Sequence, residues 1–236
     1  KALMFAAGKG TRLKPFTDSH PKALALVNDV PLLERNIKYL QSFGVAEFVI
    51  NVHHFGEQIV EFLEKNNHFG AKIDISDEKD ELLETGGGLL FAQKYLENEE
   101  NFLIMNADIL TNLNIHELVK FHETHLPLAT LAVSDRNSSR KLFFNSEMVL
   151  KGWMNKNSGE TKMAESNNDF KELAFSGIHC INSSIFDKIK RRGKFSIMEE
   201  YLDLMFENNI LGFQHEARLI DVGRPESVIE AEKYFT

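Results

Sequence analysis

Two glycines, an arginine and a lysine near the start of the chain carry its plainest chemical signal. The run is Gly8-Lys9-Gly10-Thr11-Arg12, with Pro15, Thr17 and Pro21-Lys22 behind it. It follows Ala2-Leu3-Met4-Phe5-Ala6-Ala7, an apolar run that reads as a buried strand. Glycines at the end of such a strand let the backbone approach a ligand and turn its N–H groups toward an anion. Arg12 and Lys22 add positive charge. The chemistry is phosphate binding, by a loop unlike the two best-known ones. A Walker loop needs Gly, four residues, then Gly-Lys-Ser/Thr, which does not occur here. The dinucleotide fingerprint needs a third glycine where this chain has Leu13 followed by Pro15. Gly-Lys-Gly alone would be a surface turn as readily as a site; the fixed order through Lys22 is what removes that reading.

Two aspartates complement the loop. Asp108 comes just after the apolar run Phe102-Leu103-Ile104-Met105, and Asp221 follows Leu219-Ile220. Either one alone reads as a strand-end turn or a helix cap. Together, carboxylates at two strand ends can share one Mg²⁺, a hard ion completed by waters and substrate phosphates. Other clusters are weaker. His122-Glu123-Thr124-His125 has the wrong spacing for a zinc-protease helix and reads as a helix end. His53 and His54, as strand neighbours, point to opposite faces. The basic group Lys188, Lys190, Arg191, Arg192 and Lys194 reads as a solvated helix end. Cys180, the only cysteine, sits in an apolar stretch and reads as core.

These groups need a scaffold, and the first half of the chain supplies it. Strand-like runs at Leu3–Ala7, Phe48–His53, Lys72–Ser76, Asn101–Asn106 and Ala129–Ser134 alternate with helical patterns. Pro31 opens one helix and Gly44 closes it; Gly56 to Asn66 forms another; Asn114 with Glu117 resembles a helix cap. The alternation predicts an α/β fold, a Rossmann-like, mostly parallel sheet flanked by helices, with ligands at the carboxyl ends of its strands. Regularity fades between Asp135 and Lys171, which reads as a long loop or small hairpin insertion with short strands at Leu142–Phe144 and Met148–Leu150. A strand at Glu172–Ile181, helices at Ser183–Lys190 and Ser196–Asn208, strands at Gly212–Gln214 and Arg218–Ile220, and a helix at Pro225–Phe235 follow.

The length of 236 residues suits one domain, with 43% hydrophobic and 26% charged residues. A net charge of −8 argues against a nucleic-acid binder and means that an anionic ligand must be drawn by a local positive site. The single cysteine, the absence of a membrane-length apolar run and the lack of a signal-peptide pattern suggest the cytoplasm. Oligomeric state is not legible.

The run AAGKGTRLKPFTDSHPKAL resembles the N-terminal signature of sugar-1-phosphate nucleotidyltransferases. Val49-Ile50-Asn51, Glu84-Thr85-Gly86-Gly87-Gly88, Asn106-Ala107-Asp108 and Asp221-Val222-Gly223-Arg224-Pro225-Glu226 continue the resemblance in the family's order. It implies a GT-A-like core over 1–236, with a nucleotide-binding part at about 1–134 and a sugar-binding part at about 135–236. It also implies attack of a sugar-1-phosphate oxygen on the α-phosphorus of a nucleoside triphosphate, with pyrophosphate leaving. Arg12 would grip the β- and γ-phosphates, aided by Ala7, Gly8, Lys9, Gly10 and Thr11. Lys22 would attend the α-phosphate, and Asp108 with Asp221 would hold Mg²⁺. Gly8 and Glu84, Thr85, Gly86 and Gly87 would meet the base, the glycines permitting close approach; Gly88 reads equally as loop structure. Asn106 and Gly177, the latter in Phe175-Ser176-Gly177-Ile178, would meet the sugar.

Departures from the family pattern narrow the reading. Ala107 stands where a glycine is common, and its methyl could tighten the pocket. The Glu-Lys-Pro element that binds sugar and sugar phosphate in many relatives is absent, leaving Lys151, Lys156, Lys162 or Lys171 as stand-ins. Leu83-Glu84-Thr85-Gly86-Gly87 is similar to N-acetylmuramate-1-phosphate uridylyltransferases and tilts the expectation to UTP. Mannose-1-phosphate guanylyltransferase is the alternative within the class. A metal-dependent glycosyltransferase, or a non-catalytic nucleotide-binding relative with a regulatory role, are the alternatives outside it.

Overall fold

The computed structural model describes residues 1–79, 81–164 and 169–235. In chain order the strands are β1 Ala2–Phe5, β2 Leu26–Val27, β3 Val30–Pro31, β4 Glu47–Val52, β5 Lys72–Asp77, β6 Asn101–Asn106 and β7 Ile109–Thr111. They continue as β8 Ala129–Ser134, β9 Arg140–Phe144, β10 Leu150–Asn155, β11 Glu160–Met163, β12 Lys171–Asn182, β13 Ile210–Gln214 and β14 Leu219–Asp221. The helices are α1 Leu32–Gln41, α2 Gly56–Lys65, α3 Glu84–Phe91, α4 Ile115–His125, α5 Ile185–Lys188, α6 Ile197–Leu204 and α7 Pro225–Glu232.

The main sheet runs β11-β10-β9-β12-β6-β1-β4-β5, with β8 and β13 joined beside β12. The half formed by β6-β1-β4-β5 is wholly parallel. β12 lies antiparallel to both β6 and β8, so β8 runs in the same direction as β6. The carboxyl ends of β1, β6 and β8 therefore open on one edge, where a doubly covered sheet binds its ligands.

Both faces of this sheet are buried, and the strands show why. In β1, Leu3 enters the core cluster of α3 and α6, while Ala2 and Met4 enter that of α1, α2 and α4. Val49 against Phe48, Ile50 and Val52 repeats the division in β4, as Phe102 and Ile104 against Leu103 and Met105 do in β6. Side chains alternate faces with period two, and a strand covered on both sides reads as continuously apolar. A third cluster, with Leu13, Val27, Leu110, Ile220 and Val222, seats the loop and β14 on α7.

The predicted helices over the first half are present, and Asn114 caps α4 by accepting from the Glu117 N–H at 3.4 Å. The irregular region is the hairpin-type alternative extended: β9, β10 and β11 form a meander that adds to β12. Its expected strand at Met148–Leu150 is corrected, since Met148 lies in a turn with φ of 60° and β10 begins at Leu150. Residues 165–168 of that region lie outside the described residues. Helices predicted at 183–190 and 196–208 shrink to α5 and α6. The basic group does follow a helix end, α5 closing at Lys188 with Lys190, Arg191, Arg192 and Lys194 exposed behind it, and Arg191 in addition reaches across to Asp203 of α6 at 2.6 Å. Cys180 is buried in the core, which pushes its thiol up to about 12. Among the described residues no helix is long and apolar enough to cross a membrane.

Candidate active site

The loop after β1 is built around Gly10. Its left-handed φ of 58° and the room around it both require glycine, since a Cβ there would lie 2.8 Å from Thr17 Cγ2 and 2.9 Å from Lys22 Cβ. The Thr17 hydroxyl and the Leu13 N–H both donate to the Gly10 carbonyl, at 2.9 and 2.8 Å. Thus the loop folds on itself and pins the Lys22 stem. Gly8 differs: a Cβ there would meet nothing within 4 Å, so the position is open for a ligand rather than needed for packing. Ala7 is buried, and Lys9, Thr11 and Arg12 are exposed.

Asp108 and Asp221, far apart in sequence, meet because β7 and β14 pair antiparallel with Asp221 opposite Ile109. The Val222 N–H donates to the Asp108 carbonyl at 2.8 Å and locks the two strand ends together. Lys22, 9% exposed, places its Nζ between them, bonded to Asp108 Oδ2 and 3.7 Å from Asp221 Oδ1. Gly223 completes the group. A Cβ on it would lie 2.9 Å from Arg12 Nη2, 2.9 Å from Asp221 Oδ1 and 3.4 Å from Lys22 Nζ. Its φ is not left-handed, so glycine is needed here for space alone.

The donor set fits a divalent hard ion. Two carboxylates already face one positive group, the Lys22 ammonium, in a place open to solvent, with side-chain exposures of 29% for Asp108 and 50% for Asp221. Among the described residues no third His, Cys, Asp or Glu joins them. One or two carboxylates plus phosphate oxygens is the coordination Mg²⁺ prefers over an all-protein cage.

Arg12, Asn106 and Asp221 line a cleft of about 630 Å³, together with Thr85 and Trp153. A neighbouring lobe of about 710 Å³ is reached past Arg140 and Trp153. Asn106 and Gly177 are adjacent, for a Cβ on Gly177 would stand 3.1 Å from Asn106 Nδ2. Gly177, a buried residue, takes φ of 75° at a register shift in β12 between Phe175 and His179.

Residues Glu84 to Gly88 pack closely against neighbouring segments of the chain. The Gly86 and Gly87 N–H groups donate to the Phe195 carbonyl at 2.9 and 3.3 Å. A Cβ on Gly86 would lie 2.3 Å from the Phe195 ring, and one on Gly87 2.2 Å from the Gly193 carbonyl. The close approach that Gly86 and Gly87 make within the chain is to segment 193–195. Gly88 leaves room for Glu78, whose buried carboxylate accepts from Asn51 Nδ2 at 2.7 Å and from the Leu83 N–H at 2.9 Å. Burial raises the Glu78 pKa. Thr85 faces the cleft while its hydroxyl accepts from the Ile197 N–H, and Glu84, at φ of 60°, lines the neighbouring lobe.

Ala107 does not tighten the pocket. It is 2% exposed and packs with the cluster of α1, and Asn36 Nδ2 donates to its carbonyl at 2.9 Å. Of the four candidate lysines none lines the main cleft. Lys156 pairs with Glu172 at 3.2 Å, and Lys162 sits in the neighbouring lobe against Asp203. The cleft instead holds Arg136 and Arg140, which the sequence reading missed. For Arg136 the available signal was its place two residues after the apolar run Ala129–Ser134, at a strand's carboxyl end; Arg140 opens the next strand, β9. His179 also borders the cleft, but it is buried against the Tyr201 hydroxyl at 2.7 Å, and desolvation holds it down at about 3.

Residues 1–236 match the sequence model of a family described as nucleotidyl transferase. The chain is 28% identical over 232 residues to a mannose-1-phosphate guanyltransferase of Gibberella zeae and 27% identical over 232 residues to mannose-1-phosphate guanyltransferase beta-B of Xenopus laevis. Each match covers 97% of this chain and 62% of the relative, so the chain spans about three fifths of the length of these curated relatives. In fold it is similar to HddC from Yersinia pseudotuberculosis complexed with GMP-PN, with a TM-score of 0.81 at 22% identity, covering 100% of this chain and 99% of that one. A UDP-glucose pyrophosphorylase complexed with UDP-glucose gives a TM-score of 0.78 at 17% identity, covering 99% and 97%.

Proposed function

The chain belongs to the nucleotidyl transferase family, and from that premise we propose that it joins a nucleoside triphosphate to a sugar 1-phosphate. An oxygen of the sugar phosphate attacks the α-phosphorus, the bond to the bridging oxygen breaks, and pyrophosphate leaves with that electron pair. The observation that carries this reading is the convergence of Arg12, Lys22, Asp108 and Asp221 on the space kept open by Gly223.

The protein need supply no covalent nucleophile. Its task is to hold two mutually repelling anions in line and to offset charge as the bonds exchange. Arg12 suits the β- and γ-phosphates through its planar fork, assisted by backbone N–H groups of the loop from Gly8 to Thr11. Lys22, a compact charge on a stem fixed by Gly10, suits the α-phosphate. Asp108 and Asp221 would hold Mg²⁺, which when bound neutralises triphosphate charge. Asn106 and the Gly177 backbone suit the hydroxyls of the sugar. The single, buried Cys180 is compatible with work in the cytoplasm.

GTP with mannose 1-phosphate is the first pair to test, because the curated relatives cited above are named for it. UTP with N-acetylmuramate 1-phosphate is the second reading, favoured by Leu83-Glu84-Thr85-Gly86-Gly87. Its physical support is thinner, since Gly86 and Gly87 are committed to packing on Phe195. Pyrophosphate release is measured with Mg²⁺, each of the common nucleoside triphosphates and a panel of sugar 1-phosphates. Release that requires both substrates is expected. Silence across the panel from folded protein would replace this reading with a non-catalytic nucleotide-binding role.

A further inference from the structure

The cleft contains a cation with no ion-pair partner within 4 Å among the described residues. Arg136 follows β8, at the same sheet edge as Asp108, and a guanidinium carries five N–H donors. One of them is used, from Nη2 to the Phe175 carbonyl at 2.7 Å. Its Nε is shut off from solvent and has no hydrogen-bond partner among the described residues. Among the described residues no carboxylate lies within 4 Å of it, and the acid whose charge reaches it is Asp221. Buried or half-buried charges are normally paired, so an arginine left this way is matched to an anion from outside the chain.

Its position selects which anion. The Phe175 carbonyl it holds is two residues from Gly177, which touches Asn106, so Arg136 stands on the sugar side of the cleft. Arg12 and Lys22 are gathered around Gly223. Its backbone is fixed too: Lys141, 7% exposed, donates from Nζ to the Arg136 carbonyl at 2.9 Å. Arg140, by contrast, is exposed and stands where the two lobes meet.

We infer that Arg136 binds the phosphate of the sugar 1-phosphate through the fork of its guanidinium N–H groups. The inference rests on the proposed nucleotidyltransferase reading and adds to it the residue that receives the second substrate. A phosphate offers oxygens in the spacing that two guanidinium N–H groups match, and a lysine ammonium does not provide that geometry.

The test uses the chain's only tryptophan, Trp153, which lines the same cleft. Its fluorescence is followed while mannose 1-phosphate is added to protein holding Mg²⁺ and the non-cleavable α,β-methylene analogue of GTP; free mannose is the control. N-acetylmuramate 1-phosphate with the UTP analogue is run in parallel. Wild type is expected to respond to a sugar phosphate and not to the bare sugar. Arg136→Met should weaken that response about 30-fold, the range of a lost charge-assisted bond. Its KM for sugar phosphate should rise in step, with KM for the nucleotide within about threefold by the same criterion. Arg136→Lys should recover part of the loss, and Lys156→Gln, outside the cleft, none is needed to recover because it should match wild type. An active wild type with unchanged Arg136→Met overturns the inference alone. Equal loss of nucleotide and sugar-phosphate affinity in Arg136→Met, with no recovery in Arg136→Lys, overturns it in favour of a scaffold role at Phe175. A wild type silent in both fluorescence and pyrophosphate release overturns the functional reading and this inference together.

Discussion

Replacing Gly223 by alanine separates activity from stability. The added methyl would lie 2.9 Å from both Arg12 Nη2 and Asp221 Oδ1, where ordinary contact begins at 3.4 Å, so each must retreat by roughly 0.5 Å. Both are ends of side chains at a solvent-facing cleft, and Gly223 has no left-handed φ to strain. The folded state should therefore change by less than about 1 kcal/mol, the stiffening of the unfolded chain offsetting part of the crowding. Reacting groups tolerate far less: displacement on this scale costs about 10- to 100-fold in rate. The assay is pyrophosphate release at saturating substrates, paired with a thermal melt of the same preparation. Turnover within about twofold of wild type would refute the claim that these groups form the reacting cluster. A large fall in melting temperature would refute the claim that the space at Gly223 is kept for ligands rather than for the fold.

Asp108→Asn and Asp221→Asn should each lower turnover at least about 100-fold and raise the Mg²⁺ requirement, while melting shifts little because partly exposed ion pairs are worth about 0–1 kcal/mol; full activity in either variant removes that residue from the metal site. Gly86→Ala should act on the fold, costing about 1–3 kcal/mol in a denaturant titration because the methyl enters the buried Phe195 ring. An unchanged midpoint with lost nucleotide affinity would return Gly86 to the nucleotide. His122 gives a pH dependence: its Nε2 donates to Asn101 Oδ1 at 3.0 Å, its Nδ1 accepts from the Thr130 hydroxyl at 2.9 Å, and desolvation holds it down at about 4 against an ordinary 6.5. Below pH 6.5 the unfolded chain takes up a proton that the folded one refuses, so this stabilisation is complete above 6.5 and declines as pH falls toward 4. The slope is at most about 1.4 kcal/mol per pH unit, and melts of His122→Gln should be flatter than wild type across that window; identical profiles would assign the acid loss elsewhere.

Much of this protein is legible in its residues before they are folded. The apolar runs Ala2–Phe5, Phe48–Val52 and Phe102–Met105 declare strands buried on both faces, because period-two side chains must satisfy two cores at once. The order of glycines, arginine and lysine from Gly8 to Lys22 declares a phosphate loop, since backbone N–H groups and local charge are properties of adjacent residues. The meander from Arg140 to Met163 was less legible, its strands being held by cross-strand pairing and partly exposed faces instead of a strong local pattern.

Only the tertiary structure decided which partners meet across the chain. It placed Asp108 with Asp221 through the β7–β14 pairing, and Lys22 between them. It turned the Glu84–Gly88 glycines toward Phe195 and Glu78, the Ala107 methyl into the core, and Arg136 into the cleft. A sequence fixes residue types and local period, but which side chains share one space depends on contacts between segments more than a hundred residues apart.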